Sequence, residues 1–245
     1  MGERLLLCCD TGTPVESVAL VRGDAILAER AEQRGAGHGA SLLDTVAAVL
    51  EAAGVGLADV DAFVCGVGPG SFTGLRISLA TLKGLALALE KPLYGVRTVE
   101  AFRRALPAAS VIAVVDARRG EIFADGAALS APVCCRPERL GEHLNLAPGA
   151  RVTLLGPGAV LYADALRAAL PAADVPDDPE LHRVRAALFA AAVPSTPPPD
   201  FAALEPCYVR PSDAELNYPN GFPDATVAPK QKLPAKRRPG SMNAV

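Results

Sequence analysis

The stretch that most constrains this chain is residues 66–84, GVGPGSFTGLRISLATLKG. An apolar run over 62–67 enters it, glycines stand at 66, 68, 70 and 74, and a long apolar helical pattern leaves it. Glycine permits positive φ and close backbone approach, and Pro69 fixes its own φ. Thr73 is the candidate N-cap, because its hydroxyl oxygen can accept from a free first-turn amide. A strand, a glycine turn and a helix start also aim N–H groups at one point, which is how anion sites are built. The plainer reading is a tight strand-to-helix turn.

The remaining pattern places that turn in a definite order. Residues 4–10 read as a strand buried on both faces, 15–21 as a second and 25–32 as a third, with turns at 11–14 and 23–24. Leu42, Leu43, Val46, Val49, Leu50 and Ala53 then make a helical stripe, started by Ser41 with Asp44 three residues on and stopped by Gly54. Strand 62–67, helix 73–89 closed by Pro92, and strand 93–96 follow. The order β-β-β-α-β-α-β combines a meander with crossovers. In the second half, 111–116 and 121–127 form a hairpin about the turn 118–120. Residues 152–155 are a strand and 156–158 a turn, while 160–170 and 181–192 are helices. From residue 217 five prolines and five basic residues stand against one acidic residue. Such a segment has little to bury and reads as disordered.

Half of the residues are hydrophobic, without tryptophan, which suits helices on a sheet; a net charge of −3 argues against a general nucleic-acid binder. The N-terminal apolar run is too short for a signal peptide, and no later run approaches a membrane span. The six cysteines show no zinc spacing; Cys8, Cys9 and Cys65 fall in strands as small hydrophobes, so a reducing cytoplasm fits.

The glycine stretch fails the phosphate motifs position by position. Gly74 is followed by Leu75-Arg76 where a P-loop needs Lys-Ser/Thr, and Gly70 is followed by Ser71, outside the dinucleotide spacing. Ser71 has Pro69 and Thr73 where a nucleophile elbow needs glycines. The histidines, 38, 143 and 182, form no metal pair. Asp10, ahead of Thr11-Gly12-Thr13, is the best single site candidate, since a strand-end carboxylate can hold Mg²⁺–phosphate. The alternative is an Asx turn onto its own backbone. Asp116 repeats the arrangement and suggests two related halves. On the helix, Ala80, Gly84 and Ala88 make a smooth strip for close packing by the Leu42–Ala53 helix or by another subunit.

LLLCCDTGTPVESVAL, GVGPGSFTGLRISLATLKGLALAL, PLYGVRTVEAF, VVDARRGEIFAD and PCYVRPSDAE together resemble the TsaB (YeaZ) family, over residues 4–216. The resemblance implies an α/β fold of two actin-like (ASKHA, ribonuclease H-like) lobes with mixed sheets, the second reduced. The lobes would be 1–105 and 106–216, ahead of the 217–245 tail. It implies a subunit without catalytic residues, metal or cofactor of its own, which pairs with TsaD, and with TsaE, for threonylcarbamoyl transfer to adenosine 37 of tRNA. Asp10, Thr11, Gly12 and Thr13 would be a vestigial nucleotide site. TsaD binds metal through His-x-x-x-His; here His38 matches the first ligand and Leu42 replaces the second. Leu42, Leu43, Val46, Arg76, Ala80, Lys83, Gly84 and Ala88 would form the partner interface, shared by a homodimer when the chain is alone. tRNA is reached only through the complex, and no membrane is involved. A stand-alone kinase of the same superfamily is the alternative; a peptidase, an old label for relatives, finds no motif here.

Overall fold

The structure, a computed structural model, describes residues 3–33, 42–107, 110–194, 196 and 200–211. The Ser41 start of the first helix, His38 and the 217–245 tail lie outside the described residues.

The first five strands, β1 (Leu5–Asp10), β2 (Val15–Arg22), β3 (Ala25–Gln33), β4 (Ala62–Gly66) and β5 (Leu93–Val96), form one sheet in the order β3-β2-β1-β4-β5. β1 pairs antiparallel with β2 and parallel with β4. The sequence LLLCCD shows no polar alternation because β1 is central and covered on both faces. Leu5, Leu7 and Cys9 face α1 (Leu42–Ala53) and α2 (Phe72–Leu89); Leu6 and Cys8 face the opposite core. β3, AILAERAEQ, is the edge, and its charged, largely exposed character suits an unpaired margin.

The second sheet uses β6 (Val111–Arg118), β7 (Glu121–Gly126), β8 (Val133–Cys135), β9 (Val152–Leu155) and β10 (Ala173–Asp174), ordered β10-β9-β6-β7-β8. Counted from its own first strand this is the same 3-2-1-4-5 order as the first sheet, with antiparallel pairs on one side and parallel pairs on the other. The α/β architecture of two mixed sheets is therefore the one expected. The core between the sheets joins Leu6, Cys8, Val64 and Val96 to Val111, Ala113 and Phe189, with Val99 and Phe102 of α3 (Val99–Ala105) between. The order β-β-β-α-β-α-β stands as read; α3, only seven residues long, is too short to show a helical period.

Four expectations change. The cap of α2 is Ser71, not Thr73: Ser71 Oγ accepts from Gly74 N at 3.3 Å and the helix begins at Phe72. The 156–158 turn is the start of α4 (Pro157–Leu161), because Gly156 takes φ 108° and Pro157 suits a first helical position. The 160–170 helix breaks at Tyr162, before α5 (Ala163–Ala169), where the phenol reaches Asp116. The 181–192 helix is instead two 3₁₀ segments, Pro179–His182 and Ala186–Ala192, around an extended 183–185. There Arg183 donates to the Ala31 carbonyl, Arg185 pairs with Glu29 and Ala186 N donates to Ser17 Oγ. Those bonds to the first sheet outweigh the intrinsic preference of an alanine-rich run for α-helix. In addition, α2 is long and apolar enough to cross a membrane by length and composition, which corrects the expectation that no run approaches a span. Its Leu75, Ser78, Leu79, Leu82 and Ala86 are buried on the sheet.

Candidate functional site

The two motifs singled out in the sequence, 10–13 and 66–74, are one interlocked unit. β1 and β4 are parallel neighbours, so their carboxyl ends deliver Asp10 and Gly66 side by side. Ser71 N donates to Gly12 O at 2.7 Å, and Thr11 Oγ1 donates to Gly74 O at 2.6 Å. Each glycine removes a collision. A Cβ at Gly70 would strike the Gly12 carbonyl, one at Gly74 the Thr11 carbonyl, and one at Gly66 the Asp10 carboxylate. The glycines thus admit the 10–13 turn rather than cradle an anion, and the first-turn amide of Gly74 is taken by the Ser71 cap.

Asp10 is fully buried. Gly12 N donates to its Oδ1 at 2.9 Å and Thr98 Oγ1 to its Oδ2 at 3.1 Å, with a further backbone donor at Thr13. Thr98 N in turn donates to Gly68 O at 2.9 Å, so the carboxylate ties β1, the glycine loop and the start of α3 together. Burial pushes Asp10 up to about 6, against the lowering by Gly12, Thr98 and Thr13. The Asx-turn alternative is what forms. Three of the protein's own donors occupy most of the lone pairs that Mg²⁺–phosphate binding would draw on. Asp116 makes the equivalent turn, accepting from Arg118 N at 2.8 Å, and it also accepts from Tyr162 OH at 3.0 Å.

The residues expected at a partner interface separate into two groups. Leu42 and Val46 are buried in the core beneath α1 and offer no side-chain surface, whereas Leu43 is 51% exposed. Ala80, Gly84 and Ala88 are exposed along α2, flanked by Ile77 and Leu87, and nothing lies within 4 Å of a Cβ at Gly84. The strip is therefore not the packing seam between α1 and α2. Arg76 and Lys83 are engaged by their own chain: Arg76 Nε donates to Tyr208 OH at 2.8 Å and Lys83 Nζ to the Ala202 carbonyl at 2.7 Å.

One polar pair was not anticipated. Arg97 grips the buried Asp125 of β7 with two hydrogen bonds. Burial raises Asp125 even though Arg97 lowers it. Arg97 lies in PLYGVRTVEAF and Asp125 ends VVDARRGEIFAD, but neither segment says that the two side chains meet; the fold brings the residue after β5 to β7. Among the described residues no group of His, Cys, Asp and Glu is arranged to hold a metal ion.

Comparison with known proteins agrees with this geometry. Residues 27–128 match the family model described as TsaD, tRNA N6-adenosine threonylcarbamoyltransferase. The chain is 38% identical over 122 residues to the tRNA threonylcarbamoyladenosine biosynthesis protein TsaB of Escherichia coli, covering 48% of this chain and 52% of that protein. It is 36% identical over 128 residues to the TsaB of Haemophilus influenzae, covering 50% and 53%. The chain thus spans about half the length of the curated relatives it matches. Among solved structures, a Pseudomonas aeruginosa protein described as similar to peptidase YEAZ superposes with TM-score 0.66 at 28% identity, covering 84% of this chain and all of that one. YeaZ from Pseudomonas aeruginosa gives 0.62 at 29% identity, covering 77% and 90%. Curated TsaB proteins match about half of this chain and YeaZ structures match most of its fold, so the chain is similar to the TsaB (YeaZ) proteins in both sequence and architecture.

Proposed function

We propose that this chain is a non-catalytic subunit for threonylcarbamoyl transfer to adenosine 37 of tRNA. It acts by pairing with a TsaD-type transferase, which TsaE then joins. The observation that carries the reading is the contrast between its two conspicuous features. The carboxylate best placed for nucleotide chemistry is sealed by Gly12, Thr13 and Thr98, while the α2 strip of Ala80, Gly84 and Ala88 lies open beside Ile77 and Leu87. Small residues let a second helix approach closely, and large apolar neighbours supply the area that makes association favourable. A transferase related to the 27–128 region would present equivalent helices, so the pair resembles a two-fold dimer of like folds. Alone, the chain forms a homodimer through the same face. tRNA is reached through the assembled complex, in the cytoplasm.

The test is reconstitution. The chain alone yields no modified tRNA. With TsaD, TsaE, TsaC, ATP, threonine, bicarbonate and tRNA, modification depends on adding it, and an unchanged yield on omission refutes the role. Gly84→Leu fills the strip and should weaken association with TsaD in sedimentation while the fold stays intact. Undiminished association would remove α2 from the interface.

A further inference from the structure

Residues 200–210 contain no helix or strand, yet they are fastened along their length to a surface built wholly from earlier residues. Lys83 Nζ holds the Ala202 carbonyl, and the Leu204 side chain fills the space over Gly95, where a Cβ would lie 2.5 Å from it. Cys207 N donates to the Val67 carbonyl at 2.7 Å, just past the end of β4. The Tyr208 ring lies 5.1 Å from that of Phe72, and its hydroxyl accepts from Arg76, whose guanidinium covers the Phe72 face at 3.6 Å. Arg210 Nη1 then reaches Glu121 Oε2 on β7 at 2.7 Å, with its guanidinium 5.8 Å from the centre of the Phe123 ring. A main-chain bond plus separate recesses for spaced side chains is the way an extended peptide is recognised by a folded domain.

We propose that residues 200–210 are an intramolecular ligand, a strap that seats reversibly in a peptide groove formed by the β4–α2 loop, α2, Gly95 of β5 and the start of β7. Its recognition elements are Leu204, Tyr208 and Arg210. Two properties make it separable. Its internal hydrogen bonds are all short-range, from Ala202 N to Asp200 Oδ1, from Leu204 N to Phe201 O and from Tyr208 N to Pro206 O, so it has little structure to lose on lifting. Its Phe201 and Leu204 pack only part-buried against the edge of the core, while Tyr208 is 43% exposed and Arg76 is exposed, so the seat runs along the protein's margin. Lifting frees Arg76, Lys83 and Glu121 together. In the pairing proposed above, this makes the strap an autoinhibitory contact on α2; that consequence rests on the pairing, and the strap itself does not.

The native thiols report it. Cys207 is on the strap, and Cys134 Sγ lies 3.9 Å from Glu121 Oε2 beside the Arg210 pair; both are half-buried. Cys8, Cys9 and Cys65 are fully buried. In the full-length chain, Leu204→Ser with Tyr208→Ala should make Cys134 and Cys207 react about tenfold faster with a disulfide reagent, the effect of losing ~1.4 kcal/mol of seating. The three core thiols stay protected. A synthetic peptide of residues 200–210 carrying Cys207→Ser, added in trans, should restore slow labelling of Cys134. Gly95→Ala, which fills the Leu204 recess, gives the same pattern if the double variant does not fold. Unchanged rates, no effect of the peptide, or all six thiols labelling together would overturn the strap. None of these readouts involves a partner protein.

Discussion

Replacing Asp10 by Asn separates the electrostatic cost of this residue from its hydrogen-bonding role. Asn Oδ1 can keep the bond from Gly12 N, and Nδ2 can donate to Thr98 Oγ1, which turns its own proton elsewhere. In the native protein burial holds the carboxyl at about 6, against an unfolded value of 3.8. Between these values the folded chain keeps a proton that the unfolded chain has released. Unfolding therefore releases a proton, and stability falls as pH rises through the window, reaching its floor above 6. A rise of about two pKa units at 1.36 kcal/mol each gives about 3 kcal/mol. The stability of Asp10→Asn relative to the parent should accordingly grow by about 2.5 kcal/mol between pH 4 and pH 8, the remainder of the span lying below pH 4. The change should centre between the two values and be complete above 6. Urea titrations of both proteins across that range measure it, because other titrating groups cancel in the difference. A constant offset, or a change that reverses sign, would refute a buried carboxylate sealed by the three donors.

Two further predictions concern positions with opposite surroundings. Gly70→Ala forces a Cβ into the Gly12 carbonyl and should cost at least about 2 kcal/mol in denaturant unfolding, whereas Gly84→Ala on open helix surface should gain roughly 0.5–1 kcal/mol. Arg97→Ala leaves Asp125 buried without its cation and should destabilise by on the order of 2 kcal/mol at neutral pH. The loss should shrink toward pH 4, where the carboxyl can be neutral, and a pH-independent loss in thermal melts would count against the ion pair.

How much of the site was legible depended on the kind of signal. Residues 10–13 and 66–74 announced themselves because unusual backbone demands glycine, and glycine is visible in a sequence. Their purpose was not visible: nothing in either segment says that Gly70 and Gly74 exist to admit the carbonyls of Gly12 and Thr11. Likewise the α2 strip was readable, but whether Gly84 met α1 or solvent depended on which way the helix rolled on the sheet. The burial of Leu75, Leu79, Leu82 and Ala86 settles that it faces outward. Arg76 and Lys83 read as partner residues because the strap that engages them is more than a hundred residues away in sequence.

By itself the sequence determined the strand-and-helix order of the first half, the repeated Asp turn that marks two like sheets, and the resemblance to TsaB (YeaZ) proteins. These follow from local periodicity and backbone chemistry, which are short-range. Only the tertiary structure decided that Asp10 is sealed, that 181–192 abandons the α-helix for bonds to Ser17, Glu29 and Ala31, and that 200–210 binds across to Glu121. Each of these is set by which distant donor or apolar recess arrives beside a segment, and its energy outweighs the fraction of a kcal/mol that local propensity supplies per residue.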